Sequence, residues 1–362
     1  MKLSSVKNII KDDILNNRLG SSGERFFTAN EIIEKYDVSF TSALKLLNDL
    51  TEENFLLAIG NKKYIMNGIM APRSSLHNYL KNSNRIGVLI QSITNPYVSK
   101  VTEALNSAIL EKGYAPILKI CSEQNEIATL ISFVQEGCLG VVSFFRNKNP
   151  KIVDIYSRLP IPTVFISSSA PFQDASLIHS DNYSAGKQAA KHLLECGYEK
   201  LYLCGTAKTP SLRFSGFIDY LKANGIDFKD EQFLLFNAID TFANGRVYAE
   251  IKNSLPKRVG VFCYHDLIAE HLFSLLKHNG LKIPEQVGII GYDQLDTVIP
   301  ISSNLTTFYY SFTNIATSAI NLLINLTKTL KYTKTTIKEK TVLYIRSTTK
   351  LASSSLDSKN QN

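Results

Sequence analysis

Two carboxylates stand directly behind apolar runs: Asp266 closes "VGVFCYHD" and Asp293 closes "VGIIGYD". A carboxylate placed so can accept the protons of two hydroxyls on a bound small molecule. Arg213 opens a predicted helix after a loop that holds Thr209 and Ser211. Its planar guanidinium fork can hold two hydroxyls or a carboxylate. His265, next to Asp266, can donate a further hydrogen bond, and Asn95 and Asp181 lie at the ends of other apolar stretches. Tyr97, Phe145, Phe242 and Tyr310 can stack on the apolar face of a sugar ring. Each has an ordinary alternative. An isolated Arg often makes a surface ion pair, Asp181 and Asp266 are well placed as helix N-caps, and aromatic rings are most often core.

Catalysis has little to work with. There is no G-x-S-x-G elbow, no P-loop, no H-E-x-x-H and no G-x-G-x-x-G after a strand. His77, His179, His192, His265, His271 and His278 form no metal-ligand spacing with the cysteines. Paired carboxylates at a cleft also suit glycoside hydrolysis, so a sugar-acting enzyme stands as an alternative. The expectation is a binding protein with no catalytic residues, no metal and no cofactor.

These side chains are set by alternating strands and helices. "RIGVLI", "APILKI", "LGVVSFF", "IPTVFIS", "KLYLCG", Gln232–Phe236, "RVGVFCY" and "VGIIGYD" read as strands. Helices are predicted at Tyr97–Lys112, Gln124–Glu136, Ser184–Cys196, Arg213–Asn224, Gly245–Ser254 and Asp266–Asn279. The alternation predicts an α/β fold with parallel sheets in two similar lobes, ligands binding beyond the strands' carboxyl ends. Polar residues interrupt the runs there: Thr94-Asn95, Ser143, Ser167, Asp181, His265-Asp266 and Asp293.

The first 68 residues differ. Leu3, Val6, Ile10 and Ile14 recur at helical spacing, Thr28 with Glu31 makes a capping-box pattern, and Ser39 can cap a third helix whose buried face draws on Ala43, Leu44, Leu46, Leu47 and Leu50. "FLLAIGNKKYIMN" reads as a β-hairpin turning at Gly60-Asn61. Three helices and a hairpin give the order of a winged helix-turn-helix. In that setting Ser39, Thr41 and Ser42 can hydrogen-bond phosphates or base edges, and Lys45, Lys62 and Lys63 can neutralise phosphates. The alternative is a solvated helix pair used for protein contact. Residues 69–83 read as a linker and 351–362 as a disordered tail.

The chain of 362 residues is long enough for two or three domains, at about 100–200 residues each. Its 44% hydrophobic content excludes a mainly disordered chain. The net charge of +8 favours a polyanionic partner. The excess is spread out: residues 1–83 hold 11 Lys and Arg against 9 Asp and Glu. Five cysteines at 121, 138, 196, 204 and 263, without C-x-x-C spacing, predict reduced thiols. No signal-peptide pattern opens the chain and no stretch nears the roughly 18 apolar residues of a membrane span. A soluble cytoplasmic protein is expected.

"SDNYSAGKQAAKHLLECGYEKLYLCG", "RFSGFIDYLKANGI", "GVFCYHDLIAEHLFSLLKHNGLKIPEQVGIIGYD", "NLTTF" and "YIRST", in that order and spacing, resemble the effector domain of LacI/GalR-family regulators over about residues 85–350. "TANEIIEKYDVSFTSALKLLNDL" resembles instead the helix-turn-helix of the GntR type, and the combination is similar to the arabinose-type repressors of Gram-positive bacteria. It departs from the GntR pattern at the recognition helix, which opens Ser39-Phe40-Thr41-Ser42 with Lys45 its one cation, and at the wing, Gly60-Asn61-Lys62-Lys63. It departs from the LacI pattern where His265-Asp266 replaces Asn-Asp.

The resemblance implies a winged-helix DNA-binding domain at 1–68 and a periplasmic-binding-protein-like effector domain at 84–350. It places lobe 1 at about 84–194 and 310–338, and lobe 2 at about 197–308 and 340–350. Crossovers are expected near Gly197, Phe308–Ser311 and Lys340. It makes Arg213, the Arg of R-x-x-G-F, an effector contact. The partners it implies are operator DNA, a sugar or sugar phosphate held between the lobes, and a second copy in a homodimer, with no membrane. The function it implies is a repressor of a carbohydrate-utilisation operon. A non-catalytic solute-binding protein of transport is the alternative that keeps the lobes.

Overall fold

In the computed structural model, the structure describes residues 3–20, 24–53, 55–59, 61–66, 83–122, 124–144, 156, 159, 161–166, 175–206, 211–236, 241–295, 301, 303–329 and 334–349. The linker up to residue 82, Gly60, Phe145, Ser167, Thr209 and the 351–362 tail lie outside them, as does the side chain of Phe242.

The chain opens with α1 (Leu3–Leu15), α2 (Ala29–Tyr36) and α3 (Phe40–Glu52), followed by β1 (Leu56–Ile59) and β2 (Lys62–Ile65). Apolar residues at helical spacing close one core: Val6, Ile10 and Ile14 from α1, Ile32 from α2, and Ala43, Leu46, Leu47 and Leu50 from α3. Leu44 faces out, against the sequence expectation, because it lies roughly 110° from the centre of that stripe. The capping box forms as its residues dictate. Thr28 N–H donates to Glu31 Oε2 at 2.6 Å and Glu31 N–H to Thr28 Oγ1 at 3.3 Å. Asp37 ends α2 in the left-handed region. β1 and β2 pair antiparallel with Ile59 opposite Lys62, and an isolated bridge from Arg25 to Tyr64 adds a third piece of backbone.

From Arg85 the chain alternates. β3 (Arg85–Ile90), α4 (Pro96–Glu111), β4 (Ala115–Ile120), α5 (Glu126–Gln135), β5 (Cys138–Ser143), β6 (Thr163–Ile166) and β7 (Ser176–Ser180) come first. Then follow α6 (Asn182–Glu195), β8 (Lys200–Gly205), α7 (Leu212–Ala223), β9 (Phe233–Leu235), α8 (Thr241–Asn253), β10 (Val259–Cys263), α9 (Asp266–His278) and β11 (Val287–Tyr292). β12 (Thr306–Tyr309), α10 (Phe312–Thr329), β13 (Thr336–Glu339) and β14 (Val342–Tyr344) are the last of the described elements. Among the described residues two six-stranded sheets result, ordered β13-β7-β6-β5-β3-β4 and β14-β12-β11-β10-β8-β9. β10 and β11 are buried at every position, as strands covered on both faces require. The edge strand β14 runs antiparallel to β12, an exception to the expected parallel pairing.

The chain divides into residues 1–178 with 313–337 and residues 179–312 with 338–362. The first crossing thus falls at Ile178/His179, not near Gly197, and α6 belongs to the second unit rather than the first lobe. The cause is a glycine contact. A Cβ on Gly186 would lie 1.9 Å from the Arg213 carbonyl oxygen, and one on Gly216 would lie 2.1 Å from that of Tyr183. Two glycines therefore let α6 and α7 cross backbone to backbone, closer than any side chain permits. β7 escaped the sequence reading because "SLIHS" carries Ser and His, yet it is wholly buried.

Candidate functional site

The carboxyl ends of β10, β11 and β12 in the second unit gather the polar residues. α7 starts on a Ser211 cap, whose Oγ accepts from Phe214 N–H at 3.2 Å, and this fixes Arg213 one residue inside the first turn. Arg213 Nε donates to Asn182 Oδ1 at 2.6 Å, Nη1 donates to the Tyr264 carbonyl, and Nη2 lies 4.0 Å from Asp293 Oδ1. The guanidinium carbon sits 3.5 Å from the Tyr292 ring centroid and 4.8 Å from that of Tyr264. Each face of the cation is thus supplied by an aromatic face or an acceptor.

Asp293 is held with φ +103, a backbone conformation uncommon without glycine. Its N–H donates to the Phe308 carbonyl at 3.1 Å, and Tyr310 Oη donates to Oδ1 at 2.8 Å. Burial pushes its carboxyl up to about 6, opposed by the charge of Arg213 and the Tyr310 hydrogen bond. Tyr292 donates to Ser180 Oγ at 2.8 Å, and burial raises its hydroxyl to about 12. Arg213, Asn182, Tyr264, Tyr292, Asp293 and Tyr310 therefore form one apolar-walled polar cluster. Such a cluster can orient hydroxyls through a fixed fork and a carboxylate. No group in it is arranged as nucleophile and base.

The other expected residues divide. Asp266 is 1% exposed and turned inward. Its Oδ1 accepts from Thr307 Oγ1 at 2.6 Å and its Oδ2 from Leu295 N–H at 2.9 Å, and burial pushes its carboxyl up to about 7. It ties α9 to the β11 and β12 ends instead of presenting oxygens to a ligand. The cap of α9 is His265, not Asp266: its Nδ1 accepts from Ile268 N–H at 3.3 Å, which puts the ring proton on Nε2. Burial, and then the charge of Arg213, lowers that ring to about 4, so it is neutral at physiological pH. Asp181 caps α6 through Ser184 N–H at 3.3 Å.

In the first unit, Asn95 caps α4, with Oδ1 accepting from Tyr97 N–H at 2.9 Å, and both residues lie at the carboxyl end of β3. In the N-terminal module, Ser39 Oγ accepts from Ser42 N–H at 3.2 Å and donates to Ser42 Oγ at 2.9 Å. Both hydroxyls are engaged in the α3 cap, whereas the sequence offered them to DNA. Thr41, Lys45 and Lys62 are exposed and Lys63 is half-buried.

Tyr264 and Tyr292 were missed as site residues. The signal was present: each ends an apolar run one residue before a flagged polar group.

With this geometry in hand, residues 190–349 match a family described as a periplasmic binding protein-like domain. The chain is 27% identical over 296 residues to the HTH-type transcriptional regulator MalR of Clostridium butyricum, covering 77% of this chain and 84% of the relative. It is 26% identical over 313 residues to the HTH-type transcriptional repressor PurR of Mannheimia succiniciproducens, covering 82% and 90%. A LacI family transcriptional regulator from Enterococcus faecium, solved with bound ribose, aligns at TM-score 0.63 and 22% identity over 74% of this chain and 99% of that one. The regulator CelR in complex with cellobiose aligns at TM-score 0.62 and 16% identity over 88% and 93%. The chain carries a periplasmic-binding-protein-like domain with the two-lobed α/β fold of the LacI-family regulators. All of the Arg213 cluster except Asn182 falls inside the matched segment.

Proposed function

We propose that this chain is a ligand-responsive transcription regulator, a repressor of a carbohydrate-utilisation operon, and not an enzyme. Residues 1–68 bind operator DNA as a winged helix of the GntR type, and residues 84–350 bind a sugar or sugar phosphate. The observation that carries the reading is the Arg213 cluster, a fork with a buried carboxylate and aromatic walls, in a chain that opens with three helices and a hairpin. The relatives support it: they are named regulators and repressors, and structural neighbours hold ribose and cellobiose. Arg213 and Asp293 orient the effector's hydroxyls, with Asp181, His265 and Tyr310 at the margin. Sugar binding shifts the population of effector-domain states and with it operator affinity, a coupling on the order of 1–3 kcal/mol.

The regulator acts in the cytoplasm as a homodimer. Exposed apolar residues on the edge strand β4, Leu118 at 47% and Ile120 at 52%, support self-association there. Among the described residues no helix is long and apolar enough to cross a membrane.

The test is fluorescence anisotropy on DNA upstream of the protein's own operon, over a salt series, with a panel of pentoses, hexoses and their phosphates. Salt-sensitive binding altered by one sugar is the expected result. Conversion of that sugar to product would overturn the non-enzymatic reading. Binding no tighter than to random DNA under every ligand would overturn the regulator.

A further inference from the structure

α3 buries Ala43, Leu46, Leu47 and Leu50 and turns Phe40, Thr41, Leu44, Lys45 and Asn48 outward. These five positions lie on one face at helical spacing. Two of them are large and apolar: Phe40 is 55% exposed and Leu44 is 43% exposed. The module's own core lies on the opposite face, so folding does not account for them.

The charge around this face fits a polyanion. Lys45 lies on it, Arg25 and Lys62 are exposed at the hairpin, and Phe40 and Thr41 stand in the first turn, at the positive end of α3. Toward the other end of α3, Asp49 and Glu53 are occupied, while Glu52 is exposed. Lys7 Nζ reaches Asp49 at 3.2 Å and Glu53 at 2.9 Å, and Lys11 also pairs with Glu53. The cap has engaged Ser39 and Ser42, and α3 holds no arginine. The arginine fork that reads guanine is therefore missing from α3, and Lys45 is its one remaining cation. What remains exposed is apolar surface, one threonine, one amide and one lysine.

The major groove presents one apolar group, the C5-methyl of thymine, and Asn is the side chain whose amide matches adenine. Given the DNA-binding reading above, we infer that α3 reads A·T pairs, with Phe40 and Leu44 packed on thymine methyls and Asn48 facing adenine. Lys45 then positions the helix on phosphates without selecting sequence.

The experiment selects sites from a random duplex pool with the full chain, then replaces each thymine in the selected site by deoxyuridine. That exchange removes the methyl and leaves charge and base pairing intact. The expected result is an A·T-rich site at which two or more thymines lose about fourfold in affinity each, the change that burying one methyl-sized group corresponds to. Leu44→Ala and Phe40→Ala should each erase the thymine preference at one position, so that protein change and methyl removal are non-additive. Lys45→Ala should weaken all sequences alike and lower the salt slope by about one. A selected site whose uridine duplex binds equally well, or one dominated by G·C contacts, overturns methyl readout and leaves the regulator intact. No enrichment over random DNA overturns both. In that case, a change in sedimentation on Leu44→Ala would assign the face to a second copy of the chain.

Discussion

Arg213 shows how one side chain can define a site. Its fork is divided among Asn182, the Tyr264 carbonyl and Asp293, and its flat face rests on Tyr292. Arg213→Lys keeps the charge but loses the fork and the stacking. Calorimetry with the effector should show at least about a tenfold loss of affinity, since hydrogen bonds to charged groups contribute roughly 1.5–3 kcal/mol. Asp266 makes a different prediction, about pH. Its carboxyl titrates near 7 in the folded chain because burial opposes the charge. A raised folded pKa means the folded state holds a proton that the unfolded state, with a pKa near 3.9, has released. Its contribution is therefore full below about pH 4 and is lost as pH rises through 7. Asp266→Asn can keep both hydrogen bonds by turning its carbonyl to Leu295 N–H and its amide to Thr307. The variant should gain stability over the parent between pH 5 and pH 8, read by thermal melts. His265, lowered to about 4, works the other way in both proteins: its contribution is lost as pH falls below 6.5. A variant whose advantage does not grow with pH would contradict the buried, uncharged role.

At the scale of elements, the α6–α7 crossing sets where Arg213 stands. Gly186 touches the carbonyl of Arg213 itself, so a methyl there must push the first turn of α7 away. Gly186→Ala is expected to cost about 1–3 kcal/mol of stability, the usual penalty of overpacking, and to weaken effector binding together with it. Melts and calorimetry on the same variant check both. Undiminished effector affinity would show that α7 can yield without moving its arginine. The two glycines were legible as letters in "SAGKQAA" and "RFSGF", but nothing in either stretch alone says that the two helices meet.

For the whole molecule, the apolar edge strand β4 carries the expectation of a homodimer. Leu118→Lys with Ile120→Lys places two charges on that edge and should give a monomer in analytical ultracentrifugation, with operator affinity reduced because two half-sites are no longer bound by one particle. A variant that remains dimeric would move the interface elsewhere.

Periodicity and caps were readable because they are local. The three opening helices, the hairpin, and most strands and helices of both sheets follow from spacing, and Asp293 stands out as a polar residue at a strand end, whereas Arg213 was singled out by the resemblance rather than by spacing. The sequence could not say which way a polar residue at a strand end turns. Asp266 and Asp293 look alike on the page, each behind a tyrosine or histidine at the close of a buried run. Tertiary packing separates them: Thr307 and Leu295, far along the chain, enclose Asp266, while the left-handed backbone at Asp293 aims it at Arg213. The crossing at Ile178 was decided in the same way. Local pattern chooses which residues are polar and where elements begin. Which polar groups satisfy one another is settled only when distant segments are brought together, because each buried hydrogen-bonding group takes the partner that packing puts within reach.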